Sequence, residues 1–117
     1  MNPPRLWPRR GEIWWVFIAG QPDDPHQPRP ALVVSVDTRN QRSDDVIAVP
    51  FVSRGSLGPT RIPVPRGVGG LPNDSILFCE ELTTVVHDDL AFGPLGPLVP
   101  DDLMARVVVG VLNAIAP

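Results

Sequence analysis

Arg29 is the side chain whose type and position point most directly to chemistry, because it stands just before an apolar segment, residues 31–36. A guanidinium group is planar and can donate two hydrogen bonds at once to a phosphate or a carboxylate. An arginine at the entrance to a buried strand is most often a structural cap or part of an ion pair, here with Asp24 or Glu12. The alternative is that Arg29 binds a phosphate.

The loop before Arg29 holds further polar groups, namely Asp24, His26 and Gln27. The imidazole of a histidine titrates near neutral pH, so His26 is able to act as a general acid or base. A histidine in a loop is more often simply solvated, and both interpretations of His26 stay open.

The charges of the chain are unevenly distributed, although its net charge is only −3. Residues 1–66 hold nine arginines and six acidic residues, whereas residues 67–117 hold one arginine and seven acidic residues. The net charge argues against a protein that coats nucleic acid without specificity. It leaves room for a small arginine-lined groove in the first half of the chain.

Composition favours one small cytoplasmic domain. The chain has 117 residues, 43% of them hydrophobic, which is enough for a single core. No apolar run is long enough to cross a bilayer, and the first residues lack the apolar segment of a secretory signal. The single cysteine, Cys79, excludes an intramolecular disulfide and fits a reducing compartment. With two histidines and one cysteine, we predict no structural zinc site and no cofactor.

Sixteen prolines and ten glycines divide the chain into short segments, a pattern typical of a compact β-barrel. Residues 1–9 are predicted to be a flexible tail rich in Pro and Arg, and residues 10–117 a single domain. Residues 37–44 are predicted to be a polar turn, and Pro63 is expected to confine its strand to a sheet edge. The predicted strands are residues 12–19, 31–36, 45–53, 60–64, 74–80 and 82–86. The last two are either separate strands or one bent strand. Residues 90–99 are predicted to be strand-like but irregular.

The end of the chain has helical periodicity. The helix is predicted to begin after Pro100, with Asp101 and Asp102 placed favourably at its positive end. Apolar residues follow at intervals of four, and others widen the apolar face that we expect to pack on the barrel: Leu103, Val107, Val111 and Ile115, with Val108, Val109 and Leu112.

Several segments, in this order and spacing, resemble the MazF/PemK family of bacterial toxins over roughly residues 9–115. The matching segments are residues 10–14, 29–35, 46–50, 71–77 and 81–85, followed by the amphipathic helix. The resemblance implies a mainly β fold with a C-terminal helix, an SH3-like β-barrel of the MazF/CcdB toxin type. It also implies a homodimer, a cognate antitoxin, and sequence-specific, metal-independent cleavage of single-stranded RNA that inhibits translation and growth.

RNA carries its own nucleophile, the 2′-hydroxyl group. A protein therefore needs only to align that group with the adjacent phosphorus, assist proton transfer and stabilise the charge that develops. Arg29 matches the catalytic arginine of the family, and charge stabilisation is its expected role because a guanidinium keeps its proton. The resemblance places the loop residues Asp24, His26 and Gln27 near the RNA.

The first departure from the family pattern concerns a hydroxyl group. Matched without a gap, the family's catalytic threonine falls on Val52, and Ser53 follows it. On a regular strand Ser53 points to the opposite face, but a β-bulge would turn it into the site, so we expect Ser53 to be catalytic. Arg54 is either a second phosphate contact or a solvated charge in a turn.

The second departure is Glu81, which stands where related chains often have a glutamine that reads a base. An ionised carboxylate only accepts hydrogen bonds, so Glu81 either favours base edges that present donors or is a solvated charge. Arg61 is expected to contact RNA from beside a flexible segment. Trp14 and Trp15 alternate along the first strand, so one is predicted to lie in the core and the other at a dimer interface or against a base.

Two other functions stay open. A toxin on the same barrel could poison DNA gyrase, as CcdB does, and it would need no arginine placed for a phosphate. A catalytically weakened module would bind the antitoxin without RNA turnover, and Val52 and Glu81 favour that alternative. An arginine in a groove points to RNA, whereas an arginine buried in an ion pair does not.

Overall fold

Strands form where β-branched and aromatic residues cluster in the sequence. The computed structural model describes residues 7–18 and 27–117. These residues form seven strands and two α-helices. The strands are β1 (Ile13–Val16), β2 (Arg29–Val33), β3 (Asp45–Val52), β4 (Arg61–Val64), β5 (Ser75–Phe78), β6 (Thr83–Val86) and β7 (Leu90–Phe92), and the helices are α1 (Asp37–Asn40) and α2 (Asp101–Ile115). Short 3₁₀ turns occupy Val68–Gly70, Cys79–Glu81 and His87–Asp89.

The prediction for the second strand is wrong at both ends. β2 begins at Arg29, two residues before the apolar run, because β1 pairs with it as far as Val16 opposite Arg29. The predicted polar turn over residues 37–44 is also wrong, since it contains α1. Asp37 accepts a hydrogen bond from the backbone N–H of Arg10 (2.7 Å), and the buried Asn40 side chain donates to the carbonyl of Ser35 (3.0 Å). These contacts with neighbouring segments fix the turn as helix.

β3 is the central strand of an antiparallel sheet. The strand order is β4-β5-β3-β2-β1-β7, and β6 also pairs with β3. Because β5 and β6 both lie on the edge of β3 opposite β2, they follow one another along it, separated by the 3₁₀ turn Cys79–Glu81. Of the two predicted alternatives for residues 74–86, the structure has separate strands, although both lie along the same edge of β3 as a single bent strand would. Pro63 lies in β4, which among the strands of the described residues pairs only with β5 and is an edge strand as predicted.

The sheet bends strongly without closing. The mainly β fold with a C-terminal helix is confirmed. Among the described residues, β4 and β7 are the two ends of the path of paired strands and do not pair with each other, so the predicted barrel is not fully closed there. Alternation along the strands gives the sheet two apolar faces. One face includes Ile13, Leu32, Val49 and Leu77, with Val107 of α2 packed in the same cluster, and the other includes Val16, Ala31, Val33, Val46 and Val85.

Only part of the apolar surface of α2 packs on the sheet. Leu103, Met104 and Val107 are buried, together with Gly110. The widened face predicted from the sequence is wrong, because Leu112 and Ile115 are exposed, as are Val108 and Val109. The helix meets the sheet chiefly at β4 and at the turn Cys79–Glu81, and near its end the Asn113 side chain donates to the carbonyl oxygen of Pro59 (2.9 Å).

Gly110 lets α2 approach the turn at Cys79 closely. A Cβ atom at Gly110 would lie 2.7 Å from Cys79 Sγ and 3.2 Å from Cys79 Cβ. Burial, helped by the charge of Glu80, raises the pKa of the Cys79 thiol to about 11. The cysteine is therefore a packed apolar group rather than a reactive one.

The described residues include no helix with the length and hydrophobicity needed to cross a bilayer. The longest, α2, has 15 residues.

Candidate active site

Arg29 lines an open cleft of about 340 Å³. The cleft forms where β2 begins, where β3 ends and where the chain enters β5. Its volume is at the lower end of the range for small-ligand sites. The residues that line it are Trp15, Gln27, Pro28, Arg29, Pro30, Phe51, Val52, Ser53, Pro72, Asn73 and Ser75.

The pairing of β2 with β3 predicts that Val52 lies across from Arg29, and both residues line the cleft. In the antiparallel pair of β2 and β3, Ala31 is opposite Pro50, and Leu32 is opposite Val49. Continued by two residues, this register sets Arg29 opposite Val52, with both side chains on the same face of the sheet. Val52 therefore occupies the position from which a hydroxyl group would face the guanidinium.

Ser53 reaches the same cleft although it is the next residue along the chain. β3 ends at Val52 and the chain bends at Ser53, so the alternation of a regular strand no longer applies. Ser53 is exposed and lines the cleft beside Val52. The structure thus brings Arg29 and Ser53 together by a strand ending rather than by the predicted bulge.

Trp15 forms an aromatic wall of the cleft. Its ring lies 6.0 Å from that of Phe92, centroid to centroid, at an interplanar angle of 32°. Trp14 points to the other face, packs on the second apolar cluster and donates from Nε1 to the buried carboxylate of Glu12 (3.1 Å). The alternation predicted for the two tryptophans is therefore present, with Trp14 against the core.

Asn73 and Ser75 line the cleft, although the sequence did not mark them as site residues. Ser75 Oγ donates to the Asn73 carbonyl oxygen (3.0 Å), which fixes the turn before β5. The available signal was the Pro72-Asn73 pair after a glycine-rich segment, typical of a turn. Which cavity that turn faces depends on how β5 pairs with β3, and sequence pattern does not give this.

Arg61 lies outside the Arg29 cleft. Its Nε and one terminal nitrogen donate to Glu80 Oε2 at 3.0 and 2.9 Å, and its guanidinium lies 4.0 Å from the centre of the Phe78 ring. Partial burial raises the pKa of Glu80, but hydrogen bonds from Arg61, a backbone amide and Thr60, with the charge of Arg61, lower it overall. Arg61 is thus engaged in an ion pair that ties β4 to the turn Cys79–Glu81.

The other predicted RNA contacts are dispersed. Gln27 lines the cleft, and the exposed Arg54 follows Ser53 without lining it. Glu81 is exposed at the end of the turn Cys79–Glu81 and also lies away from the cleft lining. Asp24 and His26 lie outside the described residues. Within residues 7–18 and 27–117 there is no group of three or more His, Cys, Asp or Glu side chains spaced to hold a metal ion.

Solved structures of similar fold come from two bacterial groups. An endoribonuclease from a mycobacterial species, in complex with its cognate antitoxin, is 23% identical with a TM-score of 0.76, covering 94% of this chain and 97% of that chain. MazF from Deinococcus radiodurans is 20% identical with a TM-score of 0.77, covering 97% and 100%. The Mycobacterium tuberculosis toxin MazF-mt6 is 20% identical with a TM-score of 0.71, covering 88% and 94%. At these identities the likeness concerns the fold.

A family model identifies the chain more directly. The model describes PemK-like, MazF-like toxins of type II toxin-antitoxin systems, and it matches residues 9–114. The match includes both strands that carry the Arg29 cleft, the turn before β5 and nearly all of α2. The chain therefore belongs to the family of PemK-like, MazF-like toxins of type II toxin-antitoxin systems.

Proposed function

We propose that this toxin is an endoribonuclease that cuts single-stranded RNA at specific sequences by attack of the RNA's own 2′-hydroxyl group. The placement of Arg29 in an open cleft, beside Ser53 and the aromatic wall of Trp15, is the observation that carries the proposal. Family membership and the names of the structurally similar endoribonucleases support it.

The reaction needs few protein groups because the nucleophile belongs to the substrate. The 2′-oxygen bonds to the adjacent phosphorus as the bond from phosphorus to the 5′-oxygen breaks, giving a 2′,3′-cyclic phosphate and a free 5′-hydroxyl group. The proton lost from the 2′-hydroxyl balances the proton gained by the leaving oxygen. Arg29 donates to the non-bridging phosphate oxygens, where charge develops, and Ser53 Oγ adds a second donor.

The cleft also has a surface for a base. The indole of Trp15 provides a flat face on which an unpaired base stacks, a contact that tolerates any base. Gln27 has an amide group that both donates and accepts hydrogen bonds. These groups suit single-stranded RNA, because a base within a duplex has no free face.

The proposal extends to the partners. A cognate antitoxin would neutralise the toxin by placing an acidic, partly disordered segment across Arg29. A homodimer in the cytoplasm is also proposed, and the exposed apolar residues Leu112 and Ile115 of α2 favour such an interface.

A catalytically weakened module that binds the antitoxin is the second candidate. The observation that favours it is that Val52, which has no hydroxyl group, lines the cleft together with Arg29. The gyrase-poison alternative is less supported, since Arg29 lines an open cleft together with polar groups.

Replacing Arg29 tests the proposal. In excess EDTA, the wild-type protein should cut a long unstructured RNA at discrete sites, and R29A should lower the rate by at least about 100-fold because a donor to the developing charge is lost. R29K should retain part of the activity, since lysine keeps the charge without the planar fork. The 5′ ends are mapped by sequencing.

R42A is the matched control, because Arg42 is exposed and lies just after α1, outside the cleft. It should cut like the wild type. Equal cleavage by R29A with an unchanged melting temperature would remove Arg29 from the mechanism. A folded wild-type protein that makes no cuts would favour the weakened module.

A further inference from the structure

A second cavity adjoins the Arg29 cleft and shares Ser53 and Ser75 with it. It has a volume of about 570 Å³, larger than the cleft itself. Its other lining residues come from the loop after β3, from β4 and from the start of β5: Gly55, Leu57, Pro63, Val64, Pro65, Asp74 and Ile76. RNA that crosses the cleft at Ser53 therefore has a neighbouring space to enter.

The walls of the second cavity suit a nucleobase rather than a phosphate. Leu57, Pro63, Pro65 and Ile76 present apolar surface, and Leu57 is 62% exposed to solvent. Such surface packs against the flat faces of a base. The ionisable side chain of this lining is the carboxylate of Asp74, which repels a phosphate group.

The exposed Asp74 carboxylate is anchored to the neighbouring loop by one hydrogen bond. Its Oδ1 atom accepts a hydrogen bond from the backbone N–H of Arg66 (2.8 Å). A carboxylate has about four acceptor sites, so this one bond leaves most of them for a ligand. The structure gives the Asp74 side chain no salt bridge among the described residues, so its charge is not neutralised by a neighbouring cation.

We infer that the second cavity binds the base of a nucleotide next to the cut, and that Asp74 selects guanine there. Guanine is the one RNA base whose pairing edge presents two adjacent donors, the N1–H and the N2 amino group, which match the two oxygens of a carboxylate. Adenine, cytosine and uracil each place an acceptor beside their donor, and that acceptor would face the negative charge. The inference rests on the proposed endoribonuclease function, because it assigns the specificity of the same site.

The carboxylate that reads a base is therefore Asp74 in this proposal, and not Glu81, the residue expected from the sequence. Both are carboxylates in the second half of the chain, but Glu81 lies on the turn Cys79–Glu81, away from the lining of either cavity. Asp74 immediately precedes β5, whose first residue, Ser75, joins the two cavities.

The substitution D74N tests the inference without removing the contact that holds the loop. An asparagine keeps an oxygen that accepts from the Arg66 N–H, but it presents an amide donor in place of the second carboxylate oxygen. Wild-type cut sites should share a guanine at one position, and D74N should reduce that preference about tenfold while still cutting RNA. D101N, an exposed change at the start of α2, is the control and should leave the preference unchanged.

Binding provides a readout that does not depend on cleavage. The binding probes are uridine heptamers with 2′-O-methyl riboses. Each probe carries one guanosine or one inosine, and the position of that nucleotide differs from probe to probe. Inosine lacks the N2 amino group, so at one position it should bind the wild type about tenfold more weakly than guanosine, and D74N should bind the two alike. Melting temperatures establish that D74N is folded.

The outcomes separate the two proposals. A guanine preference in binding that D74N abolishes, without any cutting, supports the base site and contradicts the proposed nuclease function. Cutting at sites whose base preference D74N leaves intact contradicts the Asp74 assignment and leaves the nuclease function standing. A wild-type protein that neither cuts RNA nor distinguishes guanosine from inosine contradicts both.

Discussion

At the level of single residues, only part of the cleft can be predicted from the sequence. Arg29 is recognisable from its position before an apolar run. Its relation to Val52 follows only from the pairing of β2 with β3, and Ser53 shares the cleft because β3 ends one residue earlier. Asp74 carried no signal of its own, since the sequence placed it only at the start of a predicted strand.

The substitution V52T tests the register across the cleft. A threonine at this position places a hydroxyl group on the face of the sheet that holds Arg29. We expect the cleavage rate to rise about tenfold, which is less than the effect of a single hydrogen-bond donor to the transition state in other enzymes. Initial rates on one RNA with a mapped cut site measure the effect.

V86T makes the same exchange on an exposed position of β6 and should leave the rate unchanged. A rate for V52T equal to that of the wild type, with both proteins folded, would mean that a hydroxyl group at position 52 does not reach the reacting phosphate.

At the scale of elements, residue types predicted where strands form but not how the sheet curves. β3, the edge position of β4 and the bounds of α2 follow from β-branched runs, proline and helical periodicity. The exposed part of α2 could not be predicted, because periodicity marks an apolar face without showing how far the sheet extends beneath it. Within the buried part of α2, the closest approach to the rest of the fold is at Gly110, which faces Cys79 of the turn Cys79–Glu81.

The substitution G110A tests this contact. In most helices alanine in place of glycine stabilises by about 0.5–1 kcal/mol. Here the added Cβ atom would lie 2.7 Å from Cys79 Sγ, so we expect a lower free energy of unfolding, by about 1–3 kcal/mol. Urea denaturation followed by circular dichroism gives the value.

A double-mutant cycle with C79A identifies the cause. C79A removes the sulfur atom, so G110A should cost less in that background than in the wild type. The same cost in both backgrounds would show that the loss arises elsewhere than at the Cys79 contact.

At the scale of the whole molecule, the uneven charge of the sequence reflects how the cleft is assembled. The net positive half, residues 1–66, supplies Arg29 and Ser53, whereas the net negative half supplies the turn that contains Asn73 and Asp74. The cleft is thus made by both halves, whereas the sequence placed an arginine-lined groove in the first half. A phosphate beside Arg29 and a base beside Asp74 fit this division of charge.

In the reaction that we propose, the RNA supplies the nucleophile while the Arg29 cleft stabilises the reacting phosphate. The most direct measurement uses an RNA with one mapped cut site and its twin carrying a single 2′-deoxyribose on the 5′ side of that site, both incubated with the wild-type protein in excess EDTA. We expect the deoxy substitution to abolish the cut, and the unmodified RNA to yield a 2′,3′-cyclic phosphate and a 5′-hydroxyl end. Cleavage of the deoxy-substituted RNA at an unchanged rate would contradict the proposed reaction, because another nucleophile would then be attacking the phosphorus.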